Sequence, residues 1–365
     1  MRIGIDAHAI GRRQTGNERF MSGVVAELPG LCDHQVVVYV TDPAAAAELR
    51  AAGHTVRVMR PAAAPLRLSL SLPALAVRDR LDVLFVQGIL PPLRPCAVVS
   101  VVHDVSFARH PEYFAPRQRA WMARALPHAM RHADMVVTVS EFSRREMHEV
   151  YGIDPARVVV AYDGVEPRFA APATVPPPVA PPYLLAVGNL QPRKNLATLV
   201  GAFAELRRAR PEVRERLVVA GQVGYAGAEV GDLVAAEGLR GQVDLLGYVS
   251  DEALVALVGG ATAVAYPSVY EGFGLPVVEA MAAGTPVVAG DIPVMREVAG
   301  DAALLVPPLD VAAWARTLAD LAGDAALRAR LQQAGRERAA RYTWRACAAS
   351  VLEALERAAE ARRRR

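Results

Sequence analysis

The chain has 365 residues, 53% of them apolar and 22% charged, with a formal net charge of +3. That length accommodates two domains of ordinary size, each with its own core. The near balance of charge argues against a nucleic-acid partner and leaves room for peripheral contact with an anionic membrane. Three widely separated cysteines, Cys32, Cys96 and Cys347, argue against a disulfide framework or a cysteine zinc site. No uninterrupted apolar run approaches the ~18 residues of a membrane span. The start, MRIGIDAHAIGRR, meets Asp6 early and has no long apolar core, so it does not read as a secretion signal, and the expected location is the cytoplasm.

In chain order, the first half repeats short β-rich runs and helical patterns. RIGIDA, QVVVYV, LDVLFVQ, AVVSVVHD, MVVTVS and RVVVAY are rich in Val, Ile and Leu, as parallel strands buried on both faces require. NERFMSGVVAEL and PRQRAWMARALPHAMRHA read as helices, the second expected to break at Pro127. A proline-rich stretch over 171–182 reads as a stiff linker. The pattern then restarts with YLLAVGN, RLVVAGQ, QVDLLGYV, TAVAYPS, TPVVAGD and AALLVPP, and from Val311 it is largely helical. The expectation is an α/β protein with two Rossmann-like, doubly wound domains. The first covers 1–170, the linker 171–182 and the second 183–340, with a terminal helix over 341–365.

Several stretches carry chemistry. The loop GRRQTGN follows the first strand, and VVSVVHD ends a buried strand on His103 and Asp104. After YLLAVG come Asn189 and then LQPRK, placing Arg193 and Lys194 at a strand-to-helix junction where cations can neutralise a departing diphosphate. The chain has 41 basic residues, and Lys194 is the sole lysine among them. A compact ammonium kept in so arginine-rich a chain points to a place where guanidinium does not substitute.

Residues 269–291 read VYEGFGLPVVEAMAAGTPVVAGD. Glu271 precedes a Gly-Phe-Gly turn, Pro276 stands where a first helical residue belongs, Glu279 is expected in the first turn, and Gly284 supplies the stop. Free N–H groups at such a helix start suit a phosphate or diphosphate, and the two carboxylates can accept from sugar and ribose hydroxyls. No G-x-G-x-x-G follows a strand, and GQVGYAG has the wrong spacing, so a nicotinamide dehydrogenase is disfavoured. The absence of a D-x-D triplet counts against a transferase that depends on manganese or magnesium.

The string EGFGLPVVEAMAAG resembles the signature of retaining family-4 glycosyltransferases of the GT-B fold, E-G-F-G-L-P-x-x-E-A-M-A-x-G, at every fixed position. The resemblance implies two Rossmann-like domains facing across a cleft, with the last helix returning to the first domain. It implies a nucleotide diphosphate sugar donor, a glycan or lipid-linked acceptor, no cofactor and no metal. By the same resemblance, Arg193, Lys194 and His103 act at the reaction centre, and Glu271 contacts hydroxyls of the transferred sugar. Glu279 accepts from the nucleotide ribose, and Gly272, Phe273, Gly274 and Leu275 line the donor. Gly16 corresponds to the loop near the donor diphosphate or the acceptor. Many relatives carry Arg at the place of Asn189, which Arg193 is expected to offset. Asp104 orients the imidazole or binds the acceptor hydroxyl. TGNE and PRKN resemble bacterial mannosyltransferases, which favours GDP-mannose. Other readings of the same architecture are a non-hydrolysing nucleotide-sugar 2-epimerase and a non-catalytic nucleotide-sugar sensor. A pyridoxal phosphorylase is disfavoured, because the only lysine lies in the diphosphate loop.

Overall fold

A computed structural model describes residues 1–12, 15–222 and 227–364, with the backbone alone at Thr15 and Gly227. The chain forms two compact units, one of residues 1–164 with 343–365 and one of residues 165–342.

The strands of the first unit are β1 (Arg2–Asp6), β2 (Gln35–Val40), β3 (Thr55–Val58), β4 (Val83–Gln87), β5 (Ala97–Val101), β6 (Met135–Thr138) and β7 (Val158–Val160). They form a parallel sheet ordered β3-β2-β1-β4-β5-β6-β7. Strand order reverses between β1 and β4, the kind of switch point where open α/β sheets bind ligands beyond the carboxyl ends of the strands. β5 and β6 are buried along their whole length, which is why their sequences run apolar, apart from Ser100 and Thr138, rather than alternating.

The terminal helix, Trp344–Arg363, belongs to this unit and packs on β4 to β7 and on the Thr15–Glu27 helix. Thr343 caps it by accepting from the Ala346 N–H at 3.1 Å. Trp344, Val351 and Leu355 are buried, each contributing roughly 1.5–3 kcal/mol by leaving water. The indole fits because residue 23 is glycine: a Cβ there would stand 2.2 Å from Trp344 Cδ2.

The second unit contains β8 (Tyr183–Val187), β9 (Arg216–Ala220), β10 (Val243–Gly247), β11 (Ala263–Tyr266), β12 (Val287–Gly290) and β13 (Leu304–Val306). Its sheet is parallel and ordered β10-β9-β8-β11-β12-β13, with the switch between β8 and β11. Phe203, Leu199, Trp314 and Leu318 fill the core on one side.

Two expectations need revision. The Pro116–His132 helix runs through Pro127. Losing one backbone bond there costs about 3 kcal/mol, offset by burial of Leu126, Pro127, Ala129 and Met130. The proline-rich 171–182 stretch also lies inside the second unit, because the chain changes unit at 164/165 and returns at 342/343. Phe169 is already buried there, and the Pro167–Phe169 turn packs on the Leu275–Ala283 helix. Among the described residues no helix is long and apolar enough to cross a membrane.

Candidate functional site

The site in the second unit grows from the carboxyl ends of β8 and β11. After β8 the chain turns at Gly188 (φ 142°) and passes Gly221 (φ 153°), which follows β9. A Cβ on Gly221 would lie 2.0 Å from the Gly188 carbonyl oxygen, so the two turns touch only as glycines. Asn189 follows, half-buried. The Pro192–Lys194 turn ends on Asn195, which adopts a left-handed conformation before the Leu196–Ala209 helix. The Asn195 amide donates to the carbonyls of Pro267 at 3.1 Å and Pro308 at 2.7 Å, while its oxygen accepts from Thr198 at 2.9 Å. This residue, the last of the PRKN string and assigned no role from the sequence, fixes the turn that presents both cations.

Those cations meet one carboxylate. Lys194 Nζ donates to Glu271 Oε1 at 2.6 Å and to Tyr266 Oη at 2.7 Å, and lies 4.6 Å from the Tyr266 ring centroid. Arg193 Nη1 donates to Glu271 Oε2 at 2.5 Å and to the Tyr270 carbonyl at 3.2 Å, while its Nε donates to Gln191 at 3.0 Å. Glu271 is only 5% exposed. Burial alone would raise its pKa, but the charges of Arg193 and Lys194 outweigh that and hold it down at about 2. Burial first, and the Glu271 charge second, push the Tyr266 phenol well above its ordinary value, so it stays protonated. Two cations against one carboxylate leave a net +1 on the three side chains, a suitable charge for a diphosphate.

Glu271 opens the loop to the Leu275–Ala283 helix. Gly272, Phe273, Gly274 and Leu275 are all buried. Gly274 has φ 104°, and a Cβ on it would come within 2.6 Å of Met295 Cε. Phe273 packs edge-on against Tyr342, ring centroids 5.3 Å apart. Gly284, with φ 72°, closes the helix as expected. Glu279 differs from expectation: the helix begins at Leu275, so Glu279 is its fifth residue, beyond the first turn, and it is 2% exposed.

In the first unit, His103 lies two residues beyond β5. Its imidazole meets the Phe20 ring edge-to-face, centroids 5.1 Å apart. Burial pushes its pKa down to about 4, with the Asp104 charge opposing in part, so the ring is neutral near pH 7. Asp104 Oδ1 accepts from the Ser106 N–H at 2.8 Å and holds the turn that follows. Gly16 is exposed in the first turn of the Thr15–Glu27 helix. Two predicted features lie partly outside the described residues: GRRQTGN at 13–14 and GQVGYAG at 223–226. Sequence reasoning missed Asp6, buried at the end of β1, which accepts from Arg67 and pairs with His8 Nδ1 at 3.1 Å. The strand-end Asp6 was visible in IDAHA, but a partner 61 residues away leaves no local signal.

Comparison with known proteins defines the class. The family profile described as "Glycosyl transferases group 1" matches residues 169–338, and the one described as "Glycosyltransferase Family 4" matches residues 15–169. The O-antigen chain mannosyltransferase B of Escherichia coli is 31% identical over 295 residues, covering 78% of this chain and 76% of the relative. A D-inositol 3-phosphate glycosyltransferase of Kineococcus radiotolerans is 35% identical over 254 residues, covering 63% of this chain and 58% of that protein. This chain thus spans under two thirds of the latter's length. Among solved structures, a glycosyltransferase from Rickettsia africae ESF-5 superposes with a TM-score of 0.75 at 17% identity, covering 98% of both chains. The two doubly wound units are those of the GT-B architecture. The chain belongs to the group 1, family 4 glycosyltransferases.

Proposed function

We propose that this glycosyltransferase retains anomeric configuration, needs no metal, and moves a hexose from a nucleotide diphosphate sugar to a hydroxyl of a glycan or lipid-linked acceptor. The observation that carries the reading is the Arg193–Lys194–Glu271 cluster at the carboxyl edge of the second sheet, 2.5 and 2.6 Å from cation to carboxylate. Two fixed cations in a half-buried site stabilise charge on a departing diphosphate without reorganising during the reaction, which supports metal independence. Glu271 is the acceptor for hydroxyls of the transferred sugar; a carboxylate has about four lone-pair sites, so its bonds to Arg193 and Lys194 do not exhaust it. Glu279 serves the ribose, and the loop from Gly272 to Leu275 lines the donor. His103, neutral at physiological pH, can accept or donate one hydrogen bond toward the sugar.

The match to the retaining-enzyme motif supports retention. In the step we assign, the bond from the anomeric carbon to the β-phosphate oxygen breaks and the acceptor oxygen bonds on the same face. The acceptor's proton passes to the leaving phosphate. Similarity to a protein named as a mannosyltransferase supports mannose, with GDP as the matching nucleotide.

The test is a donor panel in EDTA. GDP-mannose, UDP-glucose and UDP-N-acetylglucosamine are each incubated with the protein, and nucleoside diphosphate release is followed. The reading expects release, fastest from GDP-mannose and undiminished by chelation. Conversion of the donor into an epimer, or activity only after manganese is restored, contradicts it.

A further inference from the structure

The Pro116–His132 helix carries Arg117, Arg119, Arg124 and Arg131, two histidines and no acidic residue. Its first half is exposed at nearly every position, including Trp121 at 54%. Arg117, Trp121, Arg124 and His128 follow one another at helical spacing and form one wall of an open groove of about 710 Å³, with Ile89 and Leu90 lining it as well. Among the described residues neither Arg117 nor Arg124 has an ion-pair partner, whereas Arg109 in the same unit is held by Glu146 and Glu149.

The groove starts at a defined place. Gln87 of β4 pairs in register with Val101 of β5; Ile89 is two residues past the first and His103 two past the second. Ile89 and His103 thus both lie beyond the carboxyl ends of neighbouring strands of the first sheet. Gly88 makes the turn with φ 67°, and a Cβ there would lie 3.0 Å from Leu126 Cδ2 on the same helix. The lining is largely apolar, with Arg117 and Arg124 among the side chains of the helix wall. A sugar or nucleotide alone leaves the Ile89, Leu90 and Trp121 surface wet, and a neutral hydrocarbon leaves the guanidinium groups without an anion. The complementary ligand is an amphiphile with a phosphorylated end, since guanidinium matches phosphate oxygens in bidentate geometry.

We propose that this groove binds the lipid diphosphate portion of the acceptor, its diphosphate on Arg117 and Arg124 and its first hydrocarbon segment on Ile89, Leu90 and Trp121. This rests on the lipid-linked acceptor reading above and names the residues that serve it. Intrinsic fluorescence reports it, because Trp314 and Trp344 are buried and Trp121 is the tryptophan in the groove. Farnesyl diphosphate, titrated as a monomer, should produce a saturable blue shift that Trp121→Phe abolishes. The Arg117→Gln/Arg124→Gln double variant, with an unchanged melting temperature, should weaken it at least tenfold. Farnesol should bind at least tenfold more weakly than farnesyl diphosphate, and inorganic diphosphate should give no blue shift. No shift with farnesyl diphosphate, or a shift indifferent to both arginines, overturns the proposal. A shift seen only with vesicles of anionic phospholipid also overturns it and makes the helix a membrane-facing surface instead. Nucleoside diphosphate binding by the wild-type protein, measured in the same preparation, tests the glycosyltransferase reading separately.

Discussion

The Lys194 ammonium is 2.6 Å from the Glu271 carboxylate, and it belongs to the only lysine in a chain with 41 basic residues. The side chain runs past Gly188, where a Cβ would press on Lys194 Cε at 3.3 Å, and reaches Glu271 over the face of Tyr266. A compact ammonium can sit against both the phenol and the carboxylate; a planar guanidinium imposes different geometry.

Replacing that ammonium should therefore act on turnover. Lys194→Ala is expected to lower kcat by ~10², about 2.7 kcal/mol of lost transition-state stabilisation. Lys194→Arg should recover only part of it. Steady-state kinetics at saturating donor checks this, and a near-normal kcat in Lys194→Ala would take the lysine out of the site.

The ion cluster also makes acid stability depend on Glu271. Its carboxyl is depressed from 4.5 to about 2 in the folded protein. A depressed carboxylate contributes stability that is present above the unfolded value near 4.5 and lost as pH falls toward 2. The contribution is on the order of 3 kcal/mol. Between pH 4.5 and 2 the wild type should lose stability more steeply than Glu271→Gln, which has no carboxyl to titrate. Parallel acid-melting curves for the two proteins would count against the buried ion pair.

His103 has the opposite charge logic. Burial lowers its pKa from 6.5 to about 4, so the folded ring stays neutral down to about pH 5. Whatever stability this neutral ring brings is present above 6.5 and is lost as pH falls from 6.5 toward 4. The imidazole resonances of His103, assigned by comparison with His103→Gln, should not shift between pH 8 and pH 5. A midpoint near 6.5 contradicts the buried, neutral state.

The strands were legible because buried parallel strands leave near-continuous Val and Leu runs, and QVVVYV and RLVVA became β2 and β9. The Glu271 loop was legible because its glycines, Pro276 and Gly284 are local signals. What the sequence hid depends on partners far along the chain. Asn195 works through carbonyls 72 and 113 residues away, and Tyr266, read only as part of a strand, is the surface on which Lys194 rests. Pro127 looked like a breaker because helix propensity is local, while the burial that overrides it is tertiary. Glu279 was placed too near the helix start because the left-handed Gly274 lets the helix begin at Leu275, one residue earlier than the proline indicates.

The central claim, that the second unit holds a nucleotide diphosphate sugar through two carboxylates with separate tasks, is tested most directly by pairing calorimetry of the free nucleoside diphosphate with kinetics on the whole donor. A lost charged hydrogen bond costs ~1.5–3 kcal/mol, about one to two powers of ten. Glu279→Ala should weaken the nucleotide by that factor and weaken the donor with it. Glu271→Ala should leave nucleotide affinity almost unchanged and sharply lower turnover. Equal loss of nucleotide affinity in both variants, or full function in both, would contradict the account.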